Sequence, residues 1–214
     1  MTTPNYPSSE LSHRRADQVV HIVGLTLILT AGAVLITKSV ASLDTGLTLA
    51  VVIYVLCALL SNLASCAYHF LPWHSRRKLL RRMDHAAIYL SITGTFTPFF
   101  VQANTTWTIT LLCVCWGLTL AAIWHKVTHE TVKTRWSTAS YLGLGAIGLS
   151  AFSDMGTIPL SSLWCIGGGA VCYVLGTTFY ARKTIPYRYA IWHTWVIMGG
   201  AALYAGIWLA LLPS

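Results

Sequence analysis

The chain has 214 residues, 55% of them hydrophobic and 9% charged, with a formal net charge of +8 and a mean hydropathy of +0.62. A soluble domain carries about 25% charged residues, so this chain cannot cover itself with a charged surface, and lipid is its expected solvent. The cation excess would suit nucleic acid, but the cations lie between apolar runs and not along one face, which argues against a nucleic-acid partner.

A membrane helix needs about 20 mostly apolar residues. Seven runs qualify: Gln18 to Val40, Thr45 to Leu71, Asp84 to Ala103, Thr106 to Val127, Ser137 to Phe152, Leu160 to Ala181 and Arg188 to Leu212. The expected fold is all-α, a seven-transmembrane helix bundle, with 1–17 as a cytoplasmic tail and 18–214 as one transmembrane domain. The opening stretch MTTPNYPSSELSHRRADQ is polar and lacks an early apolar core, so it reads as that tail and not as a cleaved signal peptide.

The fifth run is short and carries Gly143, Gly145 and Gly148, which suits close helix packing. In the sixth, Gly167, Gly168 and Gly169 either pack in the same way or loosen the helix. Pro98 interrupts the third run and predicts a kink, its freed backbone groups met by nearby Thr side chains. Trp73, Trp107, Trp136 and Trp164 fall near run ends as interfacial anchors. The six cysteines form no CxxC pair and read as small buried hydrophobes.

Orientation follows from the cations. With the N-terminus inside, 13 of the 14 Lys and Arg fall in inner segments, and Lys38 is the exception. That is a nearly complete positive-inside bias. Five inner cations, Arg76, Arg77, Lys78, Arg81 and Arg82, form one loop that suits anionic inner-leaflet lipid.

This topology places Ser65, His69, Asp84, Tyr189, His193 and His21 at similar depth near the inner face. Ser65 and His69 are four apart and share a helix face, as do Tyr189 and His193. Intramembrane ionisable groups point to function. His69, His193 and Asp84 would make a three-ligand zinc site with an open position, or Asp84 would act from outside the ligand shell as a base. The plainer alternative makes each histidine an interfacial residue bonded to a carbonyl, and Asp84 a helix N-terminal acid or a partner of Arg81 or Arg82. The pair His125 and His129, with Glu130, is not HExxH and reads as solvated loop. Asn104-Thr105-Thr106 matches a glycosylation sequon, a weak signal in isolation.

The stretches SCAYH (Ser65 to His69), DHAAIYLSITGTFTPF (Asp84 to Phe99) and IPYRYAIWHTWVIMGG (Ile185 to Gly200) carry a family resemblance over most of the chain. It resembles the hemolysin III branch of the progestin and adipoQ receptor family, within the superfamily that includes alkaline ceramidases. The resemblance implies seven membrane helices with the N-terminus inside, in the plasma membrane of a bacterium. It also implies zinc held by the His of an SxxxH motif and two His of an HxxxH motif, with an Asp contacting a metal-bound water. Carried over, these are His69 and His193 as ligands, Asp84 and Ser65 as catalytic groups, and Tyr189 where the first His of HxxxH would stand. A phenol is protonated at neutral pH and a poor ligand, so the alternatives are weak zinc binding, a different metal, the cavity residues His21 or His85 as substitute ligand, or no metal at all.

Three functions follow. The first is a metal-dependent hydrolase of a lipid amide or ester at the inner leaflet. The second is a non-catalytic receptor or regulator that senses lipid or membrane state. The third is a pore-forming cytolysin, which the scarcity of charge along the spans argues against. The topology itself is testable by labelling cysteines introduced near Ser8 and Ser214 in intact cells. An impermeant reagent should reach only the C-terminal site, and equal labelling of both would contradict the assignment.

Overall fold

The computed structural model describes residues 6–128 and 134–212, and the side chains of all these except 134–136. His129, Glu130 and Lys133 lie outside the described residues, as do the side chains of Arg135 and Trp136. Among the described residues seven α-helices follow in order: α1 (Leu11–Ser42), α2 (Thr45–Phe70), α3 (Arg77–Ala103), α4 (Thr106–Thr128), α5 (Thr134–Leu149), α6 (Leu160–Ala181) and α7 (Arg188–Leu211). Short 3-10 turns at His74–Arg76 and Ser150–Asp154 precede α3 and follow α5.

Two helices begin well before their apolar runs. α1 starts at Leu11 and not Gln18, and α3 at Arg77 and not Asp84. Hydropathy marks where lipid begins, whereas a helix needs only good formers such as the Arg, Lys, Leu and Met of RKLLRRM. The consequence is large, because Asp17 becomes part of α1. Much of the segment read as a tail is therefore helical.

Five helices, α1, α2, α4, α6 and α7, are long and apolar enough to cross a membrane. α3 is diluted by its cations and hydroxyls, and α5 has 16 residues. At 1.5 Å per residue α5 is about 24 Å long, short of the ~30 Å hydrocarbon core.

The side-chain distribution is that of a protein solvated by lipid. Val19, Ile22, Leu56, Leu120 and Trp164 point outward, while Thr93, Thr108, Thr119 and Ser162 are fully buried. Those buried hydroxyls have partners: Thr93 with Thr119 at 2.7 Å, and Ser162 donating to the Gly206 carbonyl at 2.7 Å. Such bonds hold helices together where lipid offers no hydrophobic drive. α3 is the central helix and packs against α2, α4, α5 and α7, whereas α1 lies against α2 and α7. α3 is a continuous helix through Pro98, and the Thr97 hydroxyl donates to the Thr93 carbonyl at 2.9 Å.

The glycines separate into two kinds. A Cβ on Gly169 would meet the Gly199 carbonyl at 3.1 Å, and one on Gly199 would meet the Gly169 carbonyl at 3.2 Å, so α6 and α7 touch backbone to backbone. Gly167, Gly168, Gly143 and Gly145 face open space, while a Cβ on Gly148 would run into the Phe96 ring. Gly169→Val or Gly199→Val should therefore destabilise the protein by about 1–3 kcal/mol through overpacking. Gly167→Ala and Gly168→Ala should not. Thermal unfolding in detergent checks this, and equal effects at all four positions would contradict the packing.

Candidate metal centre

Three helices each contribute a polar pair four residues apart at the same end of the bundle. α1 supplies Asp17 and His21, α2 supplies Ser65 and His69, and α7 supplies Tyr189 and His193. Spacing of four puts each pair on one helix face, and the packing of α1 against α2 and α7 brings the three faces together.

Asp17 is the hub. Its Oδ2 lies 2.6 Å from His69 Nδ1, and its Oδ1 lies 2.6 Å from His193 Nδ1. His21 Nδ1 donates to the Asp17 backbone carbonyl at 2.8 Å, which leaves Nε2 of a neutral ring as an acceptor. The Ser65 hydroxyl, 3.0 Å away, therefore donates to His21 Nε2. Ser65 Oγ also lies 3.4 Å from His193 Nε2. The three imidazoles crowd together, with ring centroids 4.1 Å apart for His21 and His193, 4.9 Å for His69 and His193, and 5.4 Å for His21 and His69.

The electrostatics are demanding. The Asp17 side chain is 1% exposed, and its ion-pair partners are His21, His69 and His193. A carboxylate out of water needs a compensating charge nearby. An imidazolium proton supplies one, and a metal cation supplies another. Asp17, His69 and His193 offer one ligand atom each, all within 4.8 Å of one another, a group that could hold a metal ion. Two imidazoles and a carboxylate suit zinc and neighbouring divalent metals, and three protein ligands leave a position open.

The carboxylate in this group is Asp17, a residue that spacing and resemblance passed over. Asp84 lies alongside, its carboxyl against the Ser65 side chain and within electrostatic reach of His69, His21 and Asp17. Tyr189 sets its ring edge-on to His69 at 4.9 Å. His21 stands beside the other two histidines, its ring centroid 4.1 Å from that of His193 and 5.4 Å from that of His69. His85 belongs elsewhere: its Nδ1 is 3.3 Å from the Tyr141 hydroxyl of α5, which itself donates to the His85 carbonyl. Arg77 is buried and donates to the Tyr68 and Leu71 carbonyls, capping the end of α2 on either side of His69.

A signal for Asp17 existed in the sequence. It is one of six acids in the chain, and it precedes His21 by four, the spacing of the other two pairs.

Residues 13–204 match the family model described as Haemolysin-III related. The chain belongs to this family. Hemolysin-3 homolog of Bacillus subtilis (strain 168) is 30% identical over 194 residues, 88% of this chain and 90% of the relative. Hemolysin-3 of Bacillus cereus is 27% identical over 203 residues, 93% of this chain and 92% of the relative. Monocyte to macrophage differentiation factor of Homo sapiens is 27% identical over 175 residues, 74% of this chain and 68% of the relative. With its apolar helices, this haemolysin-III family chain is an integral membrane protein, and the matched region contains all three polar pairs.

The geometry makes a prediction about metal affinity. Loss of a residue that merely supports a ligand costs 10–100-fold, so losing a ligand should cost at least about 100-fold. His69→Ala and Asp17→Asn should weaken zinc binding by that amount in chelator competition, and Asp84→Asn by less. A larger loss for Asp84→Asn than for Asp17→Asn would mean that the wrong carboxylate has been assigned.

Proposed function

We propose that this protein is a metal-dependent hydrolase of a lipid amide or ester, working at the inner leaflet from a seven-span bundle with its N-terminus in the cytoplasm. The observation that carries the reading is the buried group of Asp17, His69 and His193, three donors within 4.8 Å on three helices. These residues would hold zinc, which when bound would supply Lewis-acid activation of water and of the substrate carbonyl.

The remaining roles belong to the chain's own groups. Ser65 carries a hydroxyl between His21 and His193 and is placed to hold a polar atom of the substrate. Asp84, beside Ser65, is the group that takes and returns a proton. His21, fixed through Nδ1 to the Asp17 carbonyl, keeps Nε2 directed at Ser65 and so orients that hydroxyl. Helices α1, α2, α3 and α7 pack around these groups, while among the described residues no extensive interface joins α5 to α6. A lipid could enter between those two helices. Exposed Arg76 and Lys78 would attract anionic lipid, whereas Arg77 is taken up in capping α2.

Protein in liposomes, loaded with zinc and given amide- and ester-linked lipids, should release free fatty acid. His69→Ala and Asp84→Asn should each slow release by about 100-fold or more, the usual contribution of a positioned acid or base. Zinc-loaded protein that binds lipid yet cleaves neither linkage would instead mark a non-catalytic lipid receptor.

A further inference from the structure

One polar cluster beside the donor group takes no part in the reading above. Arg188 opens α7 with its guanidinium carbon 4.5 Å from the Tyr189 ring centroid and 5.5 Å from the Tyr180 ring centroid. The two rings are 6.1 Å apart, and Trp192 closes against Tyr180 at 5.5 Å. Tyr189 reaches inward to His69 at 4.9 Å, and Tyr68 stands on the other side of His69 at 5.0 Å. Tyr68 is within electrostatic reach of Tyr189, Tyr180, Arg81 and Asp84, so these side chains share one neighbourhood.

The donors in this space are unspent. Among the described residues, the hydroxyls of Tyr68, Tyr180 and Tyr189 have no hydrogen-bond partner, and none is sealed from the surroundings. Arg188 is half-buried, and no described carboxylate lies within ion-pair distance of it. Contact with the rings uses the charge of the guanidinium but not its N–H donors. Arg182 and Lys183, from the same α6–α7 turn, are exposed, which is what a plain inner-face cation looks like. Arg188 is instead laid against two rings. The acid nearby is Asp84, which serves Ser65.

We infer that Arg188, Tyr180, Tyr189 and Tyr68 form a binding site for a phosphate-bearing headgroup at the mouth of the donor group. A guanidinium with several phenolic O–H donors matches the many acceptor oxygens of a phosphate, and such charge-assisted bonds are the strong ones. Contacts of 4.5 Å from Arg188 to Tyr189 and 4.9 Å from Tyr189 to His69 put a bound headgroup next to the site where an acyl linkage would be cut. The inference rests on the proposed lipid hydrolase for its biological sense and narrows the substrate to an anionic phospholipid. The binding itself needs neither metal nor turnover.

The test is native mass spectrometry of delipidated full-length protein titrated with phosphatidylglycerol or with diacylglycerol, which lacks the phosphate. The wild type should retain phosphatidylglycerol about tenfold more tightly, the worth of one charge-assisted hydrogen bond. Arg188→Gln should erase the preference, Arg188→Lys should keep part of it, and Tyr180→Phe should weaken it. Removal of metal by a chelator should leave it intact, so a failed hydrolase reading would not be mistaken for a failed headgroup site. Displacement by equimolar inorganic phosphate would assign the site to free phosphate, and resistance would assign it to the lipid. Equal retention of the two lipids by the wild type, or a preference that survives Arg188→Gln, would overturn the inference.

Discussion

A carboxylate has been taken out of water at Asp17, and much of this end of the bundle is arranged to meet its needs. Burying an unpaired carboxylate costs far more than any single helix contact returns. Asp17 is met by Nδ1 atoms of His69 and His193 at 2.6 Å, with His21 Nδ1 at 3.4 Å. These bonds join α1 to α2 and α7, and α2 and α7 are the two helices that α1 lies against. The position of α1 and the geometry of the site are therefore one constraint. Whatever cation balances Asp17, proton or metal, also holds α1 in place.

The helices were readable because lipid solvation leaves a strong mark. Runs of about twenty apolar residues are rare outside membrane spans, and the bounds of α6 came out as the hydropathy run had them. The starts of α1 and α3 were not readable, because both helices continue into cation-rich sequence where hydropathy is silent. That silence hid Asp17, one residue before the first apolar run. Depth and spacing singled out His69 and His193, and depth alone brought in His21, without showing that its ring stands against both. Tyr189 was legible as a departure, but not that a carboxylate from a different helix stands among the donors. Only the packing of α1 between α2 and α7 reveals it.

α3 shows a second limit of pattern reading. His85, Tyr89, Thr93 and Thr97 recur at spacing four and share one face. Each bonds across to a neighbour: Tyr141, Ser140, Thr119 and Trp116. By composition this looks like a weak membrane helix. In place it is a polar seam turned inward, where low dielectric makes each bond matter and lipid never meets it. His85 is a member of this seam and not of the donor group. Ionisable residues at similar depth can thus serve different ends, and depth alone does not sort them.

The central claim is the proposal that Asp17, His69 and His193 would hold a metal ion as direct ligands. X-ray absorption at the zinc edge of purified, zinc-loaded protein tests it most directly. The account predicts a nitrogen and oxygen shell at about 2.0–2.1 Å with outer scattering from two imidazoles, and a reduced shell when Asp17 is changed to Asn. A spectrum without imidazole scattering, with sulfur ligands, or unchanged by Asp17→Asn would contradict it.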